Sequence, residues 1–592
     1  MSAIDSWRSV RPLRLAVYAL LPLLALSALI ATLRHREWNE PFFVATAYYA
    51  LLGLVAIYAG LQLMLPRQPL RLWWREHWPG VLVSALVVGS VVLAVKPSLR
   101  VLADEANLVG VSKNLFFKHA ANFSVAGKWY FENYWDISVA TDRRPALFPF
   151  LVSLVHLARG YRVENAFIVN AFVLLGLVWS SYRLGKSLAG QAFGLCAAIL
   201  VATNPNTLIA ARSAGFDALA TFFLVAVVKS FEEYLRERTP LRLAIYAVTL
   251  CLLAHVRYEG WALMLGGAAV PFVLRSVRRE SFAGFGWLYA TLPLFLLPRY
   301  WQTVAKAGDA EQPLSASLFS VKNFWRNWAE YFSVLKHPLD TDGPHAALLI
   351  PLAVLGTALV VGLLVKRLRA REHAGALELA LLVAGIVGFE TALSFSYDWG
   401  RPLHAASCRL FIWLDTWTGF TGAYALTLLG RHFPMTIAWL GRTSSAPVPV
   451  IGSAMLFAAH VPSAIEARFT NSLILTREAA QEWRFFERLS DKRILILCDR
   501  PGLFTIMDYG ANHISLAQTD RGALYELSRH LYQDIYVIQE LDLNSGEPLP
   551  GFAVWKDVEY DVAEEFQNTD VGFVRISRVR KDSLRRVDLN PN

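Results

Sequence analysis

The sequence predicts an all-α, multi-pass membrane protein of about 13 transmembrane helices, followed by a small C-terminal extracytoplasmic α/β domain. Hydrophobic residues make up 55% of the 592-residue chain and charged residues 18%, whereas soluble domains are about 45–50% apolar and about 25% charged. Apolar stretches near twenty residues long, enough to cross a bilayer, recur as far as about residue 465. From about residue 475 onward both signs of charge mix and the apolar runs become short, as in a soluble domain.

The apolar stretches divide the chain into a membrane part and a soluble part. Their predicted centres lie near residues 23, 53, 87, 172, 198, 222, 248, 267, 291, 356, 385, 416 and 455. We therefore expect two extra N-terminal transmembrane helices in 1–78, a transmembrane core in 79–465 with outer loops at 96–162 and 299–345, and a soluble α/β domain in 475–592.

The net charge of +10 comes from arginines and lysines that cluster in short loops between the apolar stretches. The positive-inside rule places such loops in the cytoplasm. The clusters fall on one side at every second loop, in 66–78, 183–187, 229–242, 275–280, 366–373 and 431–442. The N-terminus is then cytoplasmic, and an odd number of spans puts the C-terminal domain outside. Charge distributed in this way indicates a bilayer partner and no nucleic acid.

The C-terminal segment has the pattern of a small sheet with helices. The run "KRILILCDRPGLF" (492–504) predicts a buried strand followed by a turn, and residues 534–539 and 571–579 predict two further strands. Residues 521–532 predict a helix. The segment carries no Gly-rich phosphate loop and no recognisable catalytic motif, so the sequence assigns no chemistry to it.

Two adjacent acids, Asp104 and Glu105, stand in "LADEANLVGVSKNL" just after an apolar stretch and at the start of a predicted amphipathic helix. Asp is a good N-cap residue, so Asp104 could serve only to begin the helix. The apolar stripe of Leu108, Val111 and Leu115 is suited to lying on a membrane surface. Repulsion from Glu105 is expected to raise the pKa of Asp104, which would make Asp104 a better base.

Further charged residues cluster on the same predicted outer face. Simple explanations exist for each, such as snorkelling of arginines towards lipid phosphate or the capping of a helix. Their common side nevertheless predicts a polar cavity that opens outward at the edge of the bilayer. These residues are Arg143 and Arg144 before a proline, Asp217 at the start of a span, His255, Arg257 and Glu259 in a tight turn, and Arg401, His404 and Arg409 in a later loop.

The order of these motifs resembles the integral-membrane glycosyltransferases of the GT-C fold, in the branch of protein O-mannosyltransferases and lipid A aminoarabinose transferases. In that branch the first outer loop carries Asp-Glu followed by an amphipathic helix, matched here by Asp104, Glu105 and residues 106–118. A Lys-Pro-Pro-Leu segment is matched by residues 144–147, with Arg in place of Lys and Ala in place of the second Pro. The later acid of the family is matched by Asp217.

The resemblance implies an enzyme of the inner (plasma) membrane that moves a sugar from a polyprenyl-phosphate carrier to an extracytoplasmic lipid, glycan or protein. Asp104 and Glu105 are the predicted catalytic residues, with Asp104 as the base. Phosphate leaves without needing a proton, so one carboxylate suffices to deprotonate the acceptor, and direct attack implies inversion. Arg144 and at least one of Arg143, Arg257 and Arg409 are predicted to bind the donor phosphate.

Asp217, His255, Glu259, Arg401 and His404 complete the predicted substrate-binding set. A divalent metal could also take part in the reaction. Four of the predicted site residues have side chains of the types that bind such a metal: Asp104, Glu105, His255 and Glu259.

Three other functions are compatible with parts of the pattern. An oligosaccharide ligase using a polyprenyl-diphosphate donor would be favoured by a longer second outer loop. A transporter would show ionisable groups in mid-span and repeated halves with broken helices, whereas here the charges gather at one face. A scaffold for the C-terminal domain would leave the outer charges without a role.

Overall fold

The computed structural model describes most of the chain. The described residues are 27, 30–31, 34–66, 68–130, 132–273, 284–305, 318–333, 343–370, 375–398, 400, 402, 407–431, 435–437, 442–444, 447–469, 474–489, 491–519, 521–567 and 572–586. The predicted span centred near residue 23 lies outside them.

Helices form most of the described chain up to residue 469. Short 3-10 helices lie at Arg36–Trp38, Gly284–Tyr289 and Cys408–Phe411. The α-helices of this part are, in chain order, α1 (Asn39–Leu63), α2 (Leu70–Ala94), α3 (Leu102–Lys118), α4 (Leu147–Arg159), α5 (Asn165–Ala189), α6 (Gln191–Thr203), α7 (Pro205–Ala210), α8 (Asp217–Glu237), α9 (Pro240–Ala254), α10 (Gly260–Val273), α11 (Leu292–Phe295), α12 (Leu297–Ala305), α13 (Val321–Ser333), α14 (Gly343–Arg369), α15 (Ala376–Ser396), α16 (Ile412–Gly430) and α17 (Pro447–Phe469).

Among the described residues, five helices are long and apolar enough to cross a membrane, judged by length and composition. They are α1, α2, α5, the Leu348–Lys366 part of α14, and α15. Shorter apolar helices of 10–17 residues are α4, α6, α9, α10 and the Pro447–Ala458 part of α17. The chain is therefore mainly helical with several membrane-capable helices, as predicted, but the predicted number of 13 spans is not confirmed.

The predicted span centred near residue 291 is not one continuous helix. The 3-10 helix Gly284–Tyr289 is followed by α11, of four residues, and α12, of nine residues. Pro298 stands in the first turn of α12, where its missing backbone N–H prevents the preceding helix from continuing. As a result, α12 is a separate element, and two of its polar side chains reach the protein interior.

Helix α3 lies between the helical core and the C-terminal domain. Its stripe of Leu108, Val111 and Leu115 is 1%, 2% and 0% exposed and belongs to the same apolar cluster as Phe148 of α4 and Ile506 of the C-terminal domain. The predicted placement of this stripe on a membrane surface is therefore wrong. Protein covers both sides of the helix, so its burial contributes to folding and not to membrane binding.

The C-terminal part of the chain forms a sheet, as predicted, together with short helices. Its helices are α18 (Ile474–Glu487), α19 (Gly502–Thr505), α20 (Leu516–Thr519), α21 (Gly522–Ser528) and the 3-10 helix Lys581–Arg586. The strands among the described residues are β1 (Phe123–Tyr130), β2 (Asn133–Ala140), β3 (Met435–Ile437), β4 (Arg442–Ser444), β5 (Ile494–Cys498), β6 (Gly510–His513), β7 (Asp534–Asp542), β8 (Tyr560–Gln567) and β9 (Gly572–Val579). The predicted strands correspond to β5, β7 and β9, and the helix predicted at 521–532 is the shorter α21.

Seven strands form one sheet in the order β2-β1-β6-β5-β7-β9-β8, and β3 and β4 pair separately. Strand β5 runs parallel to β6 and β7, and the other neighbours are antiparallel. The β1–β2 hairpin belongs to the first outer loop and joins the sheet where Gly127 pairs with Ala511. This contribution was not predicted, because the sheet partner lies far along the chain.

Lys113, in the middle of α3, links this helix to the C-terminal domain. Its ammonium donates to the carbonyl oxygen of Thr505 at 2.7 Å and lies 2.7 Å from a carboxylate oxygen of Asp508. The centre of the Tyr134 ring lies 4.4 Å from the same nitrogen. Because Lys113 is only 6% exposed, these contacts replace the water that its charge would otherwise bind.

We expect Lys113→Met to lower the stability of the protein by about 1–3 kcal/mol, because the substitution removes the buried ammonium that bonds the Thr505 carbonyl oxygen and pairs with Asp508. Thermal unfolding of the purified protein in detergent measures the change. Lys492→Met is the matched control, since Lys492 also donates to a backbone carbonyl, that of Met507, but is exposed. Equal melting temperatures for the two variants would contradict the role given to Lys113.

Candidate active site

Charged side chains from five separate segments meet at one end of the helical core. The segments are the first turn of α3, the loop before α4, the start of α8, the turn between α9 and α10, and the 3-10 helix Cys408–Phe411. Seven side chains form a continuous series of alternating charge, which we call the ion chain: Asp142, Arg144, Asp104, Arg409, Asp217, Arg257 and Glu259.

Asp104 is at the centre of the ion chain. One of its carboxylate oxygens accepts a hydrogen bond from Arg144, and the other accepts one from Nη2 of Arg409 at 2.6 Å. Helix α3 begins two residues earlier, and its N-cap, Val101, makes no side-chain capping bond. Asp104 therefore does not cap the helix, and its carboxylate is held by two guanidiniums instead.

The ion chain continues on both sides of this central group. Nη1 of Arg144 lies 2.8 Å from Oδ1 of Asp142. On the other side Asp217 lies between two arginines, with Oδ2 at 3.7 Å from Arg409 and Oδ1 at 3.6 Å from Arg257. Nε of Arg257 in turn lies 2.5 Å from Oε1 of Glu259. Four acids thus alternate with three arginines.

The two guanidiniums keep Asp104 ionised. Burial acts to raise the pKa of this carboxyl, but Arg409 and Arg144 outweigh it, so the pKa of Asp104 lies below its usual range. The expectation that Glu105 raises the pKa of Asp104 is therefore wrong. The nearest charges to this carboxylate are cations, and Glu105 is directed elsewhere.

Glu105 is buried and holds a neighbouring loop. Its Oε2 accepts hydrogen bonds from the backbone N–H groups of Arg100 and Ala214, each at 3.0 Å. Asn170 donates to the carbonyl oxygens of Ser213 and Gly215 in the same loop, at 2.7 and 2.8 Å. This loop leads directly into the start of α8. The two adjacent acids thus differ in environment, one paired with arginines and the other bonded to backbone.

Two other predicted residues lie beside the ion chain without joining it. Arg143 is exposed, and no acid in the described ranges lies within ion-pair distance of its guanidinium. His255 is buried, with Nε2 at 2.6 Å from the carbonyl oxygen of Phe295, and burial lowers the pKa of His255 to about 4, so its ring is neutral. Arg401 and His404 lie outside the described residues.

Three residues at this site were not predicted: Asp142, Arg299 and Gln302. Asp142 directly precedes the two predicted arginines, so an acid next to a basic pair is a local signal that could have indicated it. Arg299 and Gln302 lie on α12, which was predicted as part of the outer loop 299–345. Nothing in the local sequence connects them to residues 142–144.

A metal centre is not formed by the predicted ligands. No group of three or more His, Cys, Asp or Glu side chains placed to hold a metal ion occurs within the part of the chain that the structure describes. Glu259 is paired with Arg257, and Asp104 with two arginines. Because guanidiniums already pair with these carboxylates, the predicted ligands do not fit a divalent metal site.

The fold places this site in a known class of membrane-protein architecture. The apo crystal structure of ArnT from Cupriavidus metallidurans is similar, with a TM-score of 0.53 at 11% sequence identity, over 85% of this chain and 98% of that chain. The predicted GT-C fold is thereby confirmed. No protein-family model matches the sequence, and no curated protein is significantly similar to it.

Two further solved structures are more distant. ArnT from the same organism bound to undecaprenyl phosphate has a TM-score of 0.49 at 12% identity, over 84% of this chain and 98% of that chain. The apo oligosaccharyltransferase of Archaeoglobus fulgidus has a TM-score of 0.45 at 13% identity, over 79% of this chain and 70% of that chain.

We expect Glu105→Gln to remove a pH dependence of stability. Burial raises the pKa of Glu105 from 4.5 to about 7, so its contribution to stability is fully present below about pH 4.5 and is lost as the pH rises through about 7. The variant should therefore gain melting temperature relative to wild type at about pH 8 but not at about pH 5. The exposed Glu547→Gln serves as control, and a difference independent of pH would contradict the assignment.

Proposed function

We propose that this protein is a membrane glycosyltransferase that transfers a sugar from a polyprenyl-phosphate donor to an extracytoplasmic lipid, glycan or protein. The observation that carries the proposal is the bridging of one carboxylate, Asp104, by two guanidiniums at the end of a helical core. This arrangement combines a proton acceptor with groups that bind phosphate. The fold shared with ArnT is compatible with such a site in a membrane, and undecaprenyl phosphate, which ArnT binds, has the chemistry that Arg144 and Arg409 would recognise.

In the proposed reaction the acceptor oxygen attacks the anomeric carbon while the bond from that carbon to the phosphate oxygen breaks. The acceptor hydroxyl gives its proton to Asp104, and the electron pair of the broken bond leaves on the polyprenyl phosphate. Arg144 and Arg409 stabilise the charge that develops on the phosphate. Phosphate leaves without protonation, so a second carboxylate is not needed to act as an acid. Because the acceptor attacks the anomeric carbon directly, the configuration at that carbon inverts.

The donor would also prepare the base for its role. In the structure the two guanidiniums lower the pKa of Asp104, which makes this carboxylate a weak base. A donor phosphate bound to Arg144 and Arg409 would neutralise their charge and raise that pKa. Asp104 would then become an effective base when the donor is in place, which limits unproductive proton uptake in the free enzyme.

The remaining charged residues have supporting roles in this proposal. Asp217 contacts both Arg409 and Arg257 and fixes the orientation of the first. The exposed Arg143 is available to the phosphate of the incoming donor. The His255 ring is within hydrogen-bond distance of a backbone carbonyl oxygen and Glu259 is ion-paired with Arg257, so we give them a structural role and not a direct contact with substrate.

The proposed location is the inner (plasma) membrane, with the N-terminus in the cytoplasm. Lys113 joins the C-terminal domain to the helix that carries Asp104, so the domain and the site lie on the same side of the helical core. The basic loops predicted to face the cytoplasm support an extracytoplasmic position for both.

We expect Asp104→Asn to reduce turnover by about a hundredfold or more, because the amide cannot accept the acceptor's proton. Transfer is measured with purified enzyme and a polyprenyl-phosphate-sugar donor, and the anomeric configuration of the product is determined by NMR. Glu105→Gln, the adjacent isosteric change, should retain activity within a few-fold. Near-wild-type turnover of Asp104→Asn would exclude it as the base, and retention of configuration would exclude direct displacement.

We expect the acid limb of kcat to lie at higher pH than the acid limb of kcat/KM. The profile of kcat/KM reports the free enzyme, in which arginines lower the pKa of Asp104, whereas kcat reports the donor complex, in which phosphate offsets those arginines. Both profiles are measured by varying the donor across the pH range. Glu105→Gln tests whether the adjacent buried acid, Glu105, causes the acid limb. Coincident acid limbs in the kcat and kcat/KM profiles would contradict the donor effect.

A further inference from the structure

Three consecutive carbonyl oxygens in the loop before α4 are held by two side chains of α12. Nε2 of Gln302 donates to the carbonyl oxygens of Asp142 at 2.8 Å and Arg144 at 2.6 Å. Nη1 of Arg299 donates to the carbonyl oxygen of Arg143 at 3.3 Å and to Oε1 of Gln302 at 2.7 Å. We call Arg299 and Gln302 together the amide clamp.

The amide clamp is buried and its bonds are specific to a primary amide. Gln302 is 2% exposed and Arg299 is 5% exposed. The Gln302 amide supplies both of its N–H groups to the loop and its oxygen to Arg299, so all of its hydrogen-bonding groups are used. The Arg299 guanidinium is further fixed over the ring of Tyr258, 5.5 Å from its centre. A side chain without two donors and an acceptor could not make this set of contacts.

The loop that the clamp holds has no regular secondary structure of its own. Its local order comes from Asp142, whose Oδ1 accepts the backbone N–H of Arg144 at 3.0 Å and the Arg144 guanidinium at 2.8 Å. With the three carbonyls fixed against α12, the Arg144 side chain is directed to the ion chain, where it reaches Asp104. A long arginine side chain has many rotamers, so the backbone position decides where its guanidinium lies.

We propose that Gln302 is a positioning residue that sets the backbone of residues 142–144 so that the Arg144 guanidinium meets the donor phosphate. The inference rests on the proposed function, in which Arg144 binds that phosphate. Gln302 lies on α12, outside the ion chain, so in this proposal α12 controls the affinity for the donor. Gln302 itself touches backbone and Arg299 and has no contact with the reacting atoms in this arrangement.

Two substitutions separate the contributions of the amide. Gln302→Leu removes all of its hydrogen bonds at similar volume. Gln302→Glu keeps an acceptor for Arg299, and an ion pair with it, but places a carboxylate against two carbonyl oxygens. We expect each variant to raise the donor KM by about tenfold to a hundredfold, with a smaller effect on kcat.

The matched control is Gln539→Leu. Gln539 is a buried glutamine that donates to the carbonyl oxygen of Phe552 at 2.8 Å in the C-terminal domain. This variant should lower the melting temperature as Gln302→Leu does, yet leave the donor KM unchanged. If Gln302→Leu changes stability alone, in the manner of the control, the positioning role is overturned.

A double-mutant cycle with Arg144→Ala tests whether Gln302 acts through that arginine. In the Arg144→Ala background, Gln302→Leu should raise the donor KM by less than about threefold, because the group that it positions is absent. Additive effects of the two substitutions would show that Gln302 acts by another route and would overturn the inference.

The same double-mutant cycle can be measured by thermal unfolding, which needs no ligand. This measurement separates a failure of the proposed function from a failure of the positioning role. Wild-type protein that neither transfers sugar nor binds polyprenyl phosphate in detergent would refute the proposed function. The unfolding cycle would still decide whether Gln302 and Arg144 are coupled, and independent effects there would refute positioning. Wild-type activity combined with a normal donor KM in Gln302→Leu would refute positioning alone.

Discussion

The neutralisation of three arginines at one end of the helical core is the constraint on which the site depends. A guanidinium does not lose its proton under ordinary conditions, so removing it even partly from water is costly unless acids or hydrogen-bond acceptors replace that water. Arg144, Arg257 and Arg409 each reach acids on other segments of the chain. The charges on one segment are therefore neutralised only when the other segments are in place. The helix ends that carry these charges are fixed relative to one another.

The parts of this arrangement that sequence could predict are those with a local signature. Apolar stretches indicated a mainly helical membrane protein, and alternating short runs indicated the C-terminal sheet. Charged residues at the ends of apolar stretches, such as Asp104, Arg144 and Arg409, were recognisable because a charge at a membrane edge is unusual. Their position on the same predicted outer face of the membrane suggested that these residues meet. It could not show which acid pairs with which arginine, or that cations would reverse the expected pKa shift of Asp104.

The parts that sequence could not predict depend on contacts between distant segments. The Gln302 side chain donates hydrogen bonds to backbone carbonyl oxygens of the loop 142–144. Every residue has a backbone carbonyl, so the sequence does not indicate which carbonyl accepts such a bond. The pattern of the helix α3 stripe correctly indicated an amphipathic helix, but the same pattern fits a lipid surface or a protein interior. The number of spans was also underdetermined, because a break such as the one at Pro298 depends on the surrounding packing.

The sheet that joins β1 to β6 has a consequence for the biosynthesis of the protein. About 380 residues separate the paired positions Gly127 and Ala511, so at synthesis rates of about 5–20 residues per second the hairpin waits roughly 20–80 s for its partner. During that interval the apolar side of α3 lacks its cover from the C-terminal domain. The end of the core that carries the ion chain is thus synthesised early and completed last, and a nascent chain halted before β5 would leave this helix open to chaperones and proteases.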